Sequence, residues 1–238
     1  MSQFTGLSAL QEGYQAVVLG ASGGIGGAIA AHLAADPRCG KLIALSRSGT
    51  GLDLTREETV AAAAEAVKAQ AGEIDLLFCA TGALTLDGTG PEKTIRAITP
   101  EAMAAQFALN ALGPALVLKH FAPLFARNRR VIAGFLSAKV GSIGDNRLGG
   151  WISYRASKAA LNQILRTAAI EIARTRPEAV VAALHPGTVA TSLSAAYSVN
   201  HERLEPTDSA ARLLSVLDGM TPAETGSFHG YDGKVIEW

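Results

Sequence analysis

The chain alternates between short, almost wholly apolar runs and longer stretches in which apolar residues recur every three or four positions. Gln15–Leu19, Lys41–Ser46, Ile74–Ala80, Val131–Ser137 and Val180–His185 are of the first kind, with a further short run near Val235. Such runs, lacking polar alternation, predict strands covered on both faces. Gly26–Ala35, Arg56–Ala71, Pro100–Arg127, Ser153–Arg174 and Thr207–Leu217 carry the helical period. The alanine-rich Val60–Val67 belongs with them, because its spacing and propensity suit a helix. Strands and helices in alternation predict an α/β, doubly wound fold: a single parallel sheet of six to seven strands with helices on both faces. No repeat or linker interrupts the pattern, so one domain over residues 1–238 is expected.

One junction departs from this plan. Only Arg47–Leu52 separates Ser46 from Asp53, whereas a parallel crossover takes about a dozen residues or more. Leu52-Asp53-Leu54 is therefore either a very short edge strand or a loop.

Composition narrows the class. The chain has 238 residues, with 21 Lys plus Arg against 21 Asp plus Glu, so its net field argues for neither nucleic acid nor an anionic membrane. No run is expected to cross a membrane, and the N-terminus lacks a basic-then-apolar leader, which points to a cytoplasmic protein. Cys39, Cys79 and the five histidines show no metal-ligand spacing, so no metal site is expected. Both cysteines read as reduced and structural, Cys79 buried at a strand end.

Two stretches carry chemistry. Gln15–Leu19 leads into Gly20-Ala21-Ser22-Gly23-Gly24-Ile25-Gly26 and then a helix. Glycines let the backbone turn tightly and approach a pyrophosphate, and the helix N-terminus offers it N–H groups and partial positive charge. This strand, turn and helix are the context that a Rossmann dinucleotide site demands. Far downstream, Tyr154 and Lys158 lie one helical turn apart, sharing a face. An ammonium ~5 Å from a phenolate is worth ~3 kcal/mol at an effective dielectric of ~20, enough to lower a tyrosine pKa by ~2 units and suit it to proton transfer.

Together the stretches resemble the short-chain dehydrogenase/reductase family, whose G-x-x-x-G-x-G is matched by Gly20, Gly24 and Gly26 and whose Y-x-x-x-K is matched by Tyr154 and Lys158. The resemblance runs from about Gln15 to the C-terminus. It implies hydride transfer between a nicotinamide and a small carbonyl or alcohol, and subunits paired into a homodimer or homotetramer through helices such as Pro100–Arg127 and Ser153–Arg174. It makes Tyr154 the proton donor, with Lys158 tuning it and reaching the nicotinamide ribose. Asn110, a poor helix former just before Pro114, predicts a kink; the family's matching asparagine distorts this helix and holds a water linked to the lysine. The family's N-x-A-G reads Cys79-Ala80-Thr81-Gly82, which places Ala80, Thr81 and Gly82 beside the cofactor. Asp53 matches the aspartate that holds the adenine.

The carbonyl-polarising serine is less direct. The family commonly has two serines, the second catalytic, and that second position is Ala138. Ser137 can serve if the strand end is offset or bulged; Ser142 is the alternative. Past the last long strand, Pro186-Gly187-Thr188-Val189-Ala190-Thr191 matches the family's P-G-x-V-x-T, so that Pro186, Gly187, Val189 and Thr191 would hold the nicotinamide carboxamide. Residues 188–204 read as a substrate lid containing Tyr197. Leu84, Ile143, Trp151 and Tyr197 suggest an apolar pocket, though each could equally be core. The C-terminal Gly230-Tyr231-Asp232-Gly233-Lys234, a hairpin signal, is similar to the C-factor-like branch.

The end of the second strand speaks to the cofactor. An acidic side chain there would bind the ribose hydroxyls of NAD, whereas Ser46-Arg47 offers a guanidinium able to clamp a 2′-phosphate. With Ser22 as a second donor, NADP(H) is expected in preference to NAD(H). Two rival functions remain: a nucleotide-binding regulator that keeps the fold without catalysis, for which Ala138 argues, and an epimerase or dehydratase, for which only Asp145 and His185 could supply an extra acid or base.

Overall fold

The computed structural model describes residues 5–86, 88–191 and 203–238. Six strands form one all-parallel sheet: β1 (Tyr14–Leu19), β2 (Cys39–Leu45), β3 (Leu76–Cys79), β4 (Val131–Leu136), β5 (Ala179–His185) and β6 (Phe228–Gly230), in the order β2-β1-β3-β4-β5-β6. The helices are α1 (Gly24–Ala35), a single turn α2 (Arg47–Thr50), α3 (Glu57–Ala71), α4 (Pro100–Phe107), α5 (Gly113–Phe121), α6 (Ile152–Ala173) and α7 (Pro206–Gly219). Because side chains alternate along each strand, one face of the sheet, carrying Val17, Leu77, Ala133 and Val181, packs under Val60, Phe121 and Leu165 of α3, α5 and α6. The other face, with Val18, Phe78, Ile132 and Ala182, packs under Ile29 of α1 and Leu213 and Leu217 of α7. The runs of β1, β3, β4 and β5 are thus buried on both sides, as the lack of polar alternation predicted, whereas the edge strand β2 leaves Gly40, Lys41 and Ala44 exposed. β1 has β2 on one side and β3 on the other, so the chain changes direction across the sheet there. A crevice at the carboxyl ends of these strands is where such folds bind ligands.

Of the two alternatives at the short junction, Leu52-Asp53-Leu54 is the loop, with Leu52 and Leu54 buried under the sheet edge and only the one-turn α2 before it, which gives six strands, within the expected range. Other expectations change. The last strand lies at Phe228–Gly230, and Val235 contributes only an antiparallel bridge to His229. The Asp232-Gly233 turn folds the chain back, the Gly230 N–H donating to Lys234 O at 2.8 Å. The single helix expected over Pro100–Arg127 is broken. α4 runs into a π-turn over Ala108–Leu112, then α5, then a 3₁₀ turn at Ala122–Leu124. By length and apolar character Pro100–Leu124 does reach what a membrane span requires, contrary to expectation. Yet Val117, Phe121 and Leu124 are core residues of the sheet's helical layer.

Candidate active site

The glycine turn closes off β1 and opens α1. Gly20 has φ +84°, and its N–H and that of Ala21 both donate to Leu45 O at the end of β2, at 2.9 and 3.1 Å. A Cβ on Gly26 would collide with the Gly20 carbonyl, and one on Gly24 would come within 2.8 Å of Thr191 Cγ2. Ser22, Gly23 and Gly24 face solvent, with Ile25 half-buried behind them. The turn is therefore backbone, open on one side and shaped so that side chains are excluded at Gly24 and Gly26. Such a cradle fits a dinucleotide pyrophosphate.

The ties to Leu45 set Ser46 and Arg47 beside this turn. Ser46 caps α2, accepting the Gly49 N–H at 3.0 Å, and Arg47 is exposed. Asp53 lies farther along and accepts from the Thr55 hydroxyl at 2.7 Å and N–H at 3.0 Å. Those bonds hold its carboxyl below the usual carboxylate range and engage one of its oxygens in its own turn.

At the end of β3, Ala80 N–H donates to Leu19 O at 2.8 Å, and Thr81 Oγ1 lies 3.1 Å from the Cys79 sulfur. Cys79 is buried at the strand end, as expected. Gly82 follows with φ +148°. A Cβ there would lie 3.0 Å from Asn110 Oδ1 and 3.1 Å from Lys158 Nζ. Three elements thus converge on one backbone position that only glycine can occupy without displacing them.

Asn110 is fully buried in the π-turn. Its Oδ1 accepts from Ala83 N–H at 3.0 Å, and its Nδ2 donates to Ala83 O at 2.9 Å and to Gln106 Oε1 at 2.6 Å. Gln106 in turn donates to Leu84 O at 3.0 Å. The predicted kink is therefore a widened turn that holds the loop after β3. Gln106 was not singled out in the sequence, although its position one turn before Asn110 on an apolar helix was a readable signal.

Lys158 and Tyr154 sit in the first turns of α6, 3% and 8% exposed. The ammonium is 5.9 Å from the centroid of the phenol ring and donates to Leu136 O at 3.0 Å. The expected sign of the tyrosine shift is reversed: burial pushes the Tyr154 phenol well above its ordinary pKa, and burial also pulls Lys158 down to about 8. Desolvation of both charged forms outweighs their attraction. Trp151 stands edge-on to Tyr154 with ring centroids 6.4 Å apart. Of the other pocket candidates, Leu84 is buried and Ile143 is exposed.

The two candidate serines differ. Ser137 donates its hydroxyl to Asn162 Oδ1 at 2.6 Å, whereas Ser142 accepts the Asp145 N–H at 3.1 Å through Oγ and so keeps its own proton to donate. Asn162 is one turn beyond Lys158 and continues the Tyr154–Lys158 stripe. On the far side, Pro186 O accepts from Ser209 at 2.8 Å, Gly187 approaches Tyr231, Val189 is buried, and Thr191 meets the glycine turn. This segment spans from β5 to the N-terminus of α1, as a nicotinamide-holding loop would. Most of the expected lid, residues 192–202 with Tyr197, lies outside the described residues.

A family model described as enoyl-(acyl carrier protein) reductase matches residues 38–227. A 1-hydroxy-2-glutathionyl-2-methyl-3-butene dehydrogenase of Rhodococcus is 31% identical over 79% of this chain and 79% of that one. The chain belongs to the short-chain dehydrogenase/reductase family. It is an oxidoreductase of that type. The C-signal protein of Myxococcus xanthus is 34% identical over 57% of this chain and 78% of its own length, a relative from the C-factor-like branch. Among solved structures, NADPH-bound carbonyl reductase from chicken fatty liver shares the fold, with TM-score 0.83, 23% identity and 100% and 99% of the two chains covered. A short-chain dehydrogenase of Burkholderia cenocepacia in complex with NADP superposes with TM-score 0.72 at 25% identity, covering 89% and 87%.

Proposed function

We propose that this chain is an NADP(H)-dependent reductase of small carbonyl compounds. The convergence of Asn110, Lys158 and Gly82 beside Tyr154 carries the reading, because it assembles a proton donor and a cation at the carboxyl end of β3. When bound, the nicotinamide supplies the hydride. Gly20, Ser22, Gly23, Gly24, Ile25 and Gly26 cradle the pyrophosphate, Ala80, Thr81 and Gly82 admit the ribose, and Pro186–Thr191 hold the carboxamide. Arg47 and Ser22 bind the 2′-phosphate, and Asp53 faces the adenine. A charge-assisted clamp of that kind is the support for NADP(H) over NAD(H).

Tyr154 donates its proton to the developing alkoxide. Its raised pKa keeps the phenol protonated at neutral pH, the form that reduction needs. Lys158 supplies positive charge as the tyrosinate forms, and Asn110 holds the loop on which both depend. Ser142, whose proton is not spent, polarises the carbonyl oxygen. Leu112 and Ile170, 53% and 49% exposed on adjacent helical faces, support pairing into a homodimer or homotetramer.

Fluorescence titration with NADPH and NADH, on the natural chain and on Arg47→Ala, tests the cofactor. Turnover of aldehydes, ketones and quinones, with Tyr154→Phe as control, tests the reaction. Nucleotide binding without any turnover would favour the non-catalytic regulator, for which Ala138 is the supporting observation.

A further inference from the structure

The catalytic helix does not cap itself. Trp151, just before α6, has φ 54° and ψ 41° and makes no side-chain cap; among the described residues it is the one non-glycine with positive φ. Gly149 and Gly150 before it also have positive φ. A segment bent in this way leaves the first N–H groups of the helix to be satisfied from elsewhere. Glu92, in the loop between β3 and α4, takes up the N–H groups of Trp151 and Ser153. Its main-chain carbonyl accepts from Trp151 N–H at 2.6 Å. Its carboxylate accepts from Ser153 N–H at 3.2 Å and from the Ser153 hydroxyl in a short contact. The side chain is buried, yet its pKa lies below the ordinary value: burial pushes it up, and the bonds from Ser153 and from Glu92's own N–H together more than offset that. A negative charge at a helix N-terminus is favourable there.

The loop bearing Glu92 also walls a cavity of about 330 Å³ lined by Leu86, Pro91, Glu92, Ala102, Ala105 and Gln106. That cavity is tied to the site at two points, through Gln106 to Asn110 and through Glu92 to Ser153. We infer that Glu92 is a positioning residue for Tyr154: it pins the first turn of α6, and with it the phenol, to the loop that walls this cavity. The inference rests on the reductase reading proposed above. A small misplacement of a proton donor is costly, up to about a hundredfold for ~1 Å.

The test uses Glu92→Ala, Glu92→Gln and Ser153→Ala, with steady-state kinetics of NADPH oxidation by a carbonyl substrate and amide hydrogen exchange by NMR. Glu92→Ala should lower kcat about tenfold or more, leave KM for NADPH near its natural value, and speed exchange of the Ser153 amide. Glu92→Gln, which keeps one acceptor, should recover part of both effects. The Glu92→Ala/Ser153→Ala double variant should be little worse than Glu92→Ala, since the two residues act together. A purely structural role would lower Tm with kcat per folded molecule unchanged, and that result overturns the inference, as does unchanged Ser153 exchange. Should Glu92→Ala fail to fold, Glu92→Gln carries the same readouts. No turnover by the natural chain would remove the reductase reading, and turnover surviving in Tyr154→Phe would remove the phenol that Glu92 is said to place; in either case the exchange measurement still decides whether Glu92 holds the helix.

Discussion

Ser137 gives its hydroxyl proton to the Asn162 carboxamide oxygen at 2.6 Å, with both side chains buried. A serine has one proton to donate. The serine expected to polarise the substrate therefore joins the end of β4 to α6. Ser137→Ala should cost ~1–3 kcal/mol of stability by leaving Asn162 unsatisfied, with kcat near that of the natural chain. Ser142→Ala should lower kcat by about a hundredfold, the usual loss for one oxyanion donor. Thermal melts and steady-state kinetics on the two variants check this, and the reverse pattern would return the carbonyl role to Ser137.

Arg47 sits exposed just past β2, where Ser46-Arg47 stands in place of the acidic residue that would suit NAD. Arg47→Ala should weaken NADPH binding by about tenfold or more, the worth of a hydrogen bond to a charged group, while NADH binding stays constant. Equal loss for both nucleotides would mean that Arg47 does not meet a 2′-phosphate.

Gly82→Ala introduces a Cβ at 3.0 Å from Asn110 Oδ1 and 3.1 Å from Lys158 Nζ, on a residue with φ +148°. Either the loop shifts or both side chains do. The variant should fold with reduced stability and lose most of its turnover. Full activity would show that the contact of Asn110 and Lys158 with this loop is unimportant to the reaction.

Much of this arrangement was legible before any coordinates. Gly20, Gly24 and Gly26, and the pair Tyr154 and Lys158, are fixed by local spacing, and local spacing survives folding. Asn110 and Pro114 foretold a distorted helix because propensity and a missing N–H act within one turn. The form it takes, a π-turn stapled to Ala83, depends on a partner 27 residues away. Glu92 had no sequence signal, since its partner Ser153 is 61 residues away and the loop between them has no period. The sign of the Tyr154 shift was misread for a related reason. Spacing sets how near the ammonium is, whereas the depth of burial is a property of the packed sheet and helices.

The Lys158 pKa of about 8 sets a pH dependence. Below about 8 the ammonium is charged and can offset the tyrosinate that forms during reduction; above it that support is lost. Reductase kcat should therefore fall as pH rises through about 8, well before the phenol itself ionises. Lys158→Arg, which stays protonated, should move that limb upward if the guanidinium fits. A profile flat from pH 7 to about 10 would show that the lysine charge is not used.

His185 ends β5 half-buried, and its Nδ1 is buried without a hydrogen-bond partner among the described residues. Burial, helped by the nearby Lys139 charge and opposed by Asp232 and Asp145, pulls its pKa from 6.5 down to about 4. The unfolded chain binds this proton first as pH falls, so stability is lost between about 6.5 and 4 and is constant in this group above that window. The loss is bounded at ~3 kcal/mol. Urea unfolding at pH 7 and at pH 4.5 should show the decline, and His185→Phe should remove this part of it. An unchanged acid dependence in the variant would mean that the ring relaxes to water on protonation, and that carboxylates set the acid limit instead.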